Sequence, residues 1–270
     1  MPGTMEYVLL ALVGLVAGVL GGLLGIGGSV VMIPAMAIIF SSLGRMENIH
    51  QYQAAAMIVN FLLIGPAVLR HRRAGAIVVD VWSWLAPAAM IGIVLGVVVS
   101  RLNVFTGSNQ QALKMVFGVF LLYVAAYNAW KLRQTRPPRP LLSQSGQPWW
   151  KKVLVGLPMG FAGGLLGIGG GALGVPAMQL ILRLPLRNAI ATSAATILTT
   201  AWLGATVKNA SLGADGTVTR SLLLAACLAP TAMAGSYLGS HLTHALPLRV
   251  VRAAFVALMI AAGLKMCGVL

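Results

Sequence analysis

Two glycine-rich runs are the residues of this chain whose types and spacing could do chemistry. The block 18–36 recurs at 160–178 with twelve of nineteen positions identical, including the run Gly-Gly-Leu-Leu-Gly-Ile-Gly-Gly. Such a run interrupts a helix. A helix that restarts behind it points free peptide N–H groups and the positive end of its dipole at the break, which suits an anion.

We expect the helices to restart at Gly28 or Ser29 and at Gly170 or Gly171, so that two related breaks enclose one binding site near the membrane midplane. The alternative is that the glycines only allow helices to pack closely. Two matching runs, each followed by a proline, favour the site. The candidate backbone residues are Gly25, Gly27, Gly28 and Ser29 in the first run and Gly167, Gly169, Gly170 and Gly171 in the second.

Uncharged polar side chains follow each break and could line the path of a substrate. They are Gln53 and Asn60 in the first half, and Thr192, Ser193 and Thr196 in the second. The spacing of Thr192 and Thr196 places both on one helix face. Hydrogen bonding between helices, worth about 1 kcal/mol for each bond, is the alternative role for every one of them.

The charged residues exclude several kinds of site. The only acidic residues are Glu6, Glu47, Asp80 and Asp215, all expected in loops or at segment ends, so a carboxylate relay for protons or sodium has no carrier. The four histidines are also expected near segment ends. We therefore predict no catalytic residues, no metal, no cofactor and no enzyme activity.

Composition places the chain in a lipid bilayer. Apolar residues make up 59% and charged residues 9%, and the mean hydropathy is +0.90. We expect an all-α polytopic membrane protein. The net charge of +15 comes from 19 Lys and Arg concentrated between apolar segments, where they indicate orientation and lipid head-group contacts rather than nucleic-acid binding.

The repeat divides the chain into two homologous halves. Leu-Ala-Pro at 85–87 recurs at 228–230, beyond a Pro/Gln/Ser-rich linker. The predicted units are an N-terminal membrane repeat, a cytoplasmic linker and a C-terminal membrane repeat, at 1–134, 135–150 and 151–270. Eight to ten transmembrane segments result, with ordinary spans near 52–69, 80–100, 112–131, 189–207, 221–242 and 252–268.

The length of the first glycine-broken segment indicates how the two repeats are oriented relative to each other. Residues 7–44 carry no charge and would extend about 57 Å as one helix, nearly twice a ~30 Å hydrocarbon core. A hairpin that turns at the glycines gives each half an odd number of crossings and makes the repeats inverted. We favour this over a long kinked helix with parallel repeats, because inversion also puts the basic loops 70–73, 131–152, 183–187 and 249–252 on one side.

The paired glycine blocks with Pro-Ala-Met after each, the Ala-Thr-Ser of 191–193 and the duplicated Leu-Ala-Pro segments resemble the TauE/SafE family of sulfite exporters over essentially the full chain. The resemblance implies export of sulfite or a small organosulfur anion across a bacterial inner membrane. The chain departs from the family where a Thr-Ser pair is common in the first half, because it carries Gln53-Ala54 there.

The expected function is therefore transport of a small sulfur-containing anion, held between the two breaks by backbone amides and the polar side chains above. A permease for another small ion, or a membrane component that binds a partner without transport, is the alternative. The expected partners are the substrate anion and the lipid bilayer, without nucleic acid, and the sequence leaves monomer and homodimer open.

Overall fold

A computed structural model describes residues 4–24, 26–44, 48–106, 110–133, 146–213, 216–242 and 248–269. These residues form ten α-helices and no strand. The helices are α1 Thr4–Leu24, α2 Ser29–Ser42, α3 Ile49–Arg73, α4 Val79–Ser100, α5 Gln110–Arg133, α6 Trp149–Leu166, α7 Gly171–Ile181, α8 Leu186–Ala210, α9 Val218–Leu242 and α10 Leu248–Met266.

Six of these helices are long and apolar enough to cross a membrane: α1, α3, α4, α5, α8 and α9. The all-helical membrane fold predicted from composition is confirmed. Five of the six predicted ordinary spans lie wholly within single helices, and the last, 252–268, extends two residues past the end of α10. Most of the predicted linker lies outside the described residues, and the described part leads directly into α6.

Each half opens with a long helix, a break and a short helix, as the glycine runs predict. In the first half, Gly28 lies beside Asn60 in the middle of α3, whereas Phe40 near the end of α2 stacks on Tyr52 in the first turns of α3. The short helix α2 therefore runs antiparallel to α3, back toward the end where α3 begins. Helix α7 occupies the corresponding place after α6.

Glycines bind the two halves to each other through two closely packed helix pairs. Helix α1 packs on α9, and α6 packs on α4. A side-chain carbon placed on Gly18 would lie 2.2 Å from the backbone oxygen of Ala232, and one on Gly160 would lie 2.0 Å from that of Ala89. Only glycine permits this approach, and each pair joins a helix from each half.

Contacts between helices show the directions in which they run. Gly14 meets Leu228 and Gly22 meets Ser236, so α1 and α9 run parallel. Helices α3 and α8 run antiparallel, because Asn188 near the start of α8 donates a hydrogen bond of 3.0 Å to the backbone oxygen of Ala76, just beyond the end of α3. The corresponding helices α3 and α8 thus point in opposite directions.

Two apolar clusters enclose the short helices. The larger one surrounds α2 and includes residues of α3, α5, α9 and α10, and the second surrounds α7 with residues of α3, α4, α6 and α8. Ile33 of α2 and Met178 of α7 are both fully buried. Protein therefore packs around the backbone that follows each break, which unwound backbone at membrane depth requires.

Candidate functional site

The first break is held by the side chain of Asn60. Its Oδ1 accepts hydrogen bonds from the backbone N–H groups of Gly28 at 3.0 Å and Ser29 at 3.3 Å, and its Nδ2 donates to Ser29 Oγ at 2.6 Å. Asn60 and Ser29 are completely buried. One carboxamide thus caps the first turn of α2 and satisfies two amides that would otherwise lack partners.

The second break contains three glycines with positive φ. Gly167, which ends α6, has φ of 75°, Gly169 has 70° and Gly170, the cap of α7, has 81°. A side-chain carbon on Gly170 would lie 2.2 Å from the backbone oxygen of Met159. Backbone conformation and close packing, rather than a side-chain cap, define this break.

Gln53 of α3 reaches across to the second break. Its Nε2 donates to the backbone oxygen of Leu165 at 3.2 Å, and its Cβ fills the space where Gly167 lacks a side chain. Gln53 is fully buried, and its Oε1 finds no hydrogen-bond partner among the described residues. Helix α3 therefore contacts both breaks, the second through Gln53 and the first through Asn60.

The two breaks meet at the crossing of α3 and α8. A side-chain carbon on Gly169 would lie 3.2 Å from Asn60 Nδ2 and 3.2 Å from Cγ2 of Ile197, and one on Gly171 would lie 2.8 Å from the backbone oxygen of Ile26. Asn60 of α3 and Ile197 of α8 thus face the same point, one with an amide and one with an alkyl group.

The predicted hydroxyl residues of α8 are buried, and most of them make hydrogen bonds to the backbone. Thr192 Oγ1 accepts from the backbone N–H of Val78 at 3.1 Å, and Thr196 Oγ1 donates to the backbone oxygen of Thr192 at 2.9 Å. Ser193 Oγ has no partner among the described residues. Of the three predicted residues on α8, Ser193 is the one whose hydroxyl makes no hydrogen bond in the described part of the chain.

The electrostatics of the site come from peptide groups. Both breaks lie in stretches without Lys, Arg, Asp or Glu, at 7–44 and 153–182. The N-termini of α2 and α7 therefore provide the main local positive potential. Within the described residues, no group of three or more His, Cys, Asp and Glu side chains is placed to hold a metal ion.

The structure brings together most of the predicted site residues. Gly27, Gly28, Ser29, Asn60 and Gly169 form the centre, and Gln53 and Gly167 lie next to it. Helix α2 begins at Ser29 and α7 at Gly171, as expected. Gly25 lies outside the described residues.

Two features of the structure were not predicted from the sequence. The first is Ile197, which faces the breaks but is apolar, so its residue type gave no signal of a site. The second is the burial of two cations, Lys152 and Lys208, because basic residues were expected between segments. Lys152 forms an ion pair with Asp80 at 2.8 Å, which links α6 to α4.

Comparison with known proteins gives similarity to membrane transporters. Residues 10–266 match the family described as "Sulfite exporter TauE/SafE". The chain is 27% identical to the "Probable membrane transporter protein MamO" of Magnetospirillum gryphiswaldense over 95% of its length, and 25% identical to MamO of Paramagnetospirillum magneticum over 97%. It spans only 44% of the length of either MamO protein.

A relative of similar length is the "Probable membrane transporter protein YunE" of Bacillus subtilis, which is 27% identical over 89% of each chain. The family and these relatives are described as transporters, so the expectation of a transporter rather than an enzyme is confirmed at the level of the family. The family match covers nearly the whole sequence, including both glycine breaks and the helices that hold them. The chain therefore belongs to the TauE/SafE sulfite exporter family.

Proposed function

We propose that the chain exports a small sulfur-containing anion, sulfite or a small sulfonate, across the bacterial inner membrane, and that the anion binds between the two breaks. The observation that carries the proposal is the meeting of two helix-initiating glycine runs at the crossing of α3 and α8. Both runs present peptide N–H groups, and neither has a charged side chain in its segment. The printed name of the family supports sulfite as the first anion to test.

The contacts of Asn60 illustrate how an anion oxygen would be held. The N–H groups of Gly28 and Ser29 converge on one oxygen at 3.0 and 3.3 Å, which are hydrogen-bonding distances for an oxyanion as well. At the second break the corresponding N–H groups belong to Gly170 and Gly171. Ile197 lies there, so those amides are the ones left for substrate.

Two side chains would complete the site. Ser193 Oγ can donate a hydrogen bond to the anion, because it has no described partner. Gln53 Oε1 only accepts, so it suits a substrate oxygen that carries a proton or a bridging water. Thr192 and Thr196 act through the backbone that they hold rather than by direct contact.

The proposed topology is a pair of inverted repeats. Its support is the antiparallel direction of α3 and α8 and the hairpin formed by α1 and α2. With these directions, the end of α3, the end of α5 and the start of α6 lie on one side of the membrane. Basic residues concentrate there, which makes this side cytoplasmic by the positive-inside rule; they are Arg70, Arg72, Arg73, Lys131, Arg133, Lys151 and Lys152.

Export of an anion needs no coupling ion under this proposal. A membrane potential that is negative inside drives each negative charge outward by about 2.3 kcal/mol per 100 mV. The absence of acidic residues from the apolar segments 7–44 and 153–182 agrees with this mechanism.

The test is flux in proteoliposomes made with the full chain. Sulfite, sulfoacetate, thiosulfate, sulfate and chloride are compared with and without an imposed potential. We expect saturable, potential-dependent movement of a sulfur oxyanion. Ser193→Ala should reduce it several-fold, whereas Thr206→Ala, on an exposed face of the same helix, should leave it unchanged.

Two other results of the flux measurement would favour a different function. Movement of chloride alone would favour a permease for another small ion. Absence of movement for every anion, in protein shown to be folded, would favour a membrane component that binds a partner without transport.

A further inference from the structure

A buried polar cluster lies where α3 begins and α8 ends, away from the two breaks. We call His50, Ser100 and Lys208 the Lys208 cluster. All three side chains are completely buried. Lys208 Nζ lies 2.9 Å from His50 Nδ1 and 2.7 Å from Ser100 Oγ, and His50 Nε2 lies 3.0 Å from the backbone oxygen of Phe105.

The chemistry of these partners fixes the proton on His50. A carbonyl oxygen only accepts, so Nε2 carries the hydrogen that it donates to Phe105. The Lys208 ammonium only donates, so Nδ1 is the bare acceptor. A charged Lys208 donor thus pairs with a neutral His50, and a second proton on the pair is incompatible with their hydrogen bond.

The pair connects the two halves of the chain. His50 belongs to α3, which contacts both breaks, and Lys208 belongs to α8, which crosses α3 at Ile197. Since the two helices are antiparallel, the contact joins them at one end only. Any movement that separates α3 from α8 at this end must break it.

The opposite end of the two helices carries a different pair. His71 near the end of α3 lies close enough to Arg187 near the start of α8 for an electrostatic interaction. Arg187 is exposed and His71 is partly exposed. Among the described histidines, the buried one that accepts from a cation thus lies at the end where α3 begins.

Among the described residues, the other charged side chains at this end are mainly cations. Arg101 lies near Gly213, which follows α8, and Arg220 lies over the ring of Phe40, which stacks on Tyr52 of α3. The helix directions add three described groups, Glu6 at the start of α1, Lys114 at the start of α5 and Lys265 at the end of α10. The described charges at this end, apart from Lys208, are thus four cations and one acid, Glu6.

We propose that His50 and Lys208 form a proton-binding latch, which holds α3 against α8 with one proton on the pair and opens when His50 Nδ1 takes a second proton from water on that side. The proton displaces the hydrogen bond from Lys208, and two positive charges then face each other. Imidazole is the side chain that ordinarily titrates between about pH 5 and 8, so the latch is tested across that range. When the helices close again, Nδ1 returns the proton to water.

The latch can be tested without knowing the transported anion. Amide hydrogen exchange of the purified full chain is followed at about pH 8 and at about pH 5.5, and the rates are corrected for the intrinsic effect of pH. We expect the corrected exchange at the first turns of α3 and the last turns of α8 to rise at least about threefold at the lower pH.

His50→Gln provides the decisive variant. Gln Oε1 can accept from Lys208 in place of Nδ1 but cannot take a proton, so the pH response should disappear while the fold is kept. His71→Gln is the matched control at the opposite end and should retain the response. An unchanged response in His50→Gln, or its loss in His71→Gln, would overturn the proposal.

A second measurement determines which ring nitrogen of His50 carries the proton. Nitrogen NMR of 15N-histidine protein, with His50→Gln used to assign the signal, should give the neutral Nε2–H tautomer of His50 at about pH 8. A protonated ring or the Nδ1–H tautomer at that pH would contradict the latch. Because neither readout requires transport, failure of the latch is distinct from failure of the proposed export function.

Discussion

The two glycine breaks share a sequence but differ in what occupies their amides. In the first, the Asn60 carboxamide caps Gly28 and Ser29. In the second, Ile197 of α8 lies against Gly169 and Gly171, and the backbone turns through Gly170 with φ of 81°, whereas Gly28 has −82°. The same Gly-Ile-Gly-Gly run therefore ends in two different conformations.

This difference shows that a duplicated backbone motif does not imply two equal halves of a site. The N–H groups at the start of α2 are bonded to Asn60, whereas those of Gly170 and Gly171 have no side-chain acceptor among the described residues. We therefore propose that Asn60 stabilises the first break and that the substrate binds at the second. The following variants address that asymmetry, beginning with the largest expected effect.

Replacement of Gly170 should be far more damaging than replacement of Gly28. Gly170→Ala places a side chain in a left-handed conformation and 2.2 Å from the Met159 backbone oxygen, so we expect a loss of about 4 kcal/mol or more in the free energy of unfolding. Gly28→Ala meets mainly the flexible end of Met32 and should cost about 1 kcal/mol. Unfolding by SDS in mixed micelles measures both, and equal losses would contradict the difference in conformation.

Removal of the Asn60 amide should destabilise the first break. Asn60→Ala leaves the N–H groups of Gly28 and Ser29 buried without an acceptor, which should cost about 2–3 kcal/mol. Asn209→Ala is the control, because its side chain bonds only within its own helix, to Ala205. The same unfolding measurement applies, and a loss no larger than that of Asn209→Ala would mean that the cap contributes little.

A side-chain amide introduced at the second break should make it resemble the first break, which Asn60 caps. Ile197→Asn can present an oxygen to Gly170 and Gly171, which we expect to raise the half-saturating sulfite concentration about tenfold, or about 1.4 kcal/mol. Ile197→Leu keeps an alkyl group and should change it little. Flux in proteoliposomes gives the result, and unchanged saturation in Ile197→Asn would remove the second-break amides from the binding site.

Gln53→Leu should have the smallest effect on stability. The variant loses the hydrogen bond to Leu165 but also removes the unpartnered Oε1, so the free energy of unfolding should change by less than about 1 kcal/mol. Sulfite flux should nevertheless fall several-fold if this side chain lines the path. Flux equal to that of the unmodified chain, measured beside unchanged stability, would restrict Gln53 to a packing role.

Much of the fold could be predicted from local sequence. Apolar segments between basic loops identify helices, and paired Gly-Ile-Gly-Gly runs locate where they break, because both properties depend on neighbouring residues. The site residues Asn60 and Ser29 were also predicted. Their hydrogen bond was not, since spacing along the chain does not determine which buried polar groups meet across two helices.

Other parts depended on contacts between distant segments. Gly18 and Gly160 were assigned to the repeated block, yet their packing against Ala232 and Ala89 follows from the exchange of helices between the halves. Lys208 was expected with the other basic residues outside the core. Its burial requires His50 and Ser100, which come from two other helices.

The exchange of helices between the halves also has a consequence for how the chain is made. Helix α1 leaves the ribosome well before α9, which its glycine face fits and which begins about two hundred residues later. Helix α4 likewise waits for α6. Neither half completes its own packing, so assembly within the bilayer can finish only after synthesis of the ninth helix, and a chain that stops earlier exposes an unmatched face to quality control.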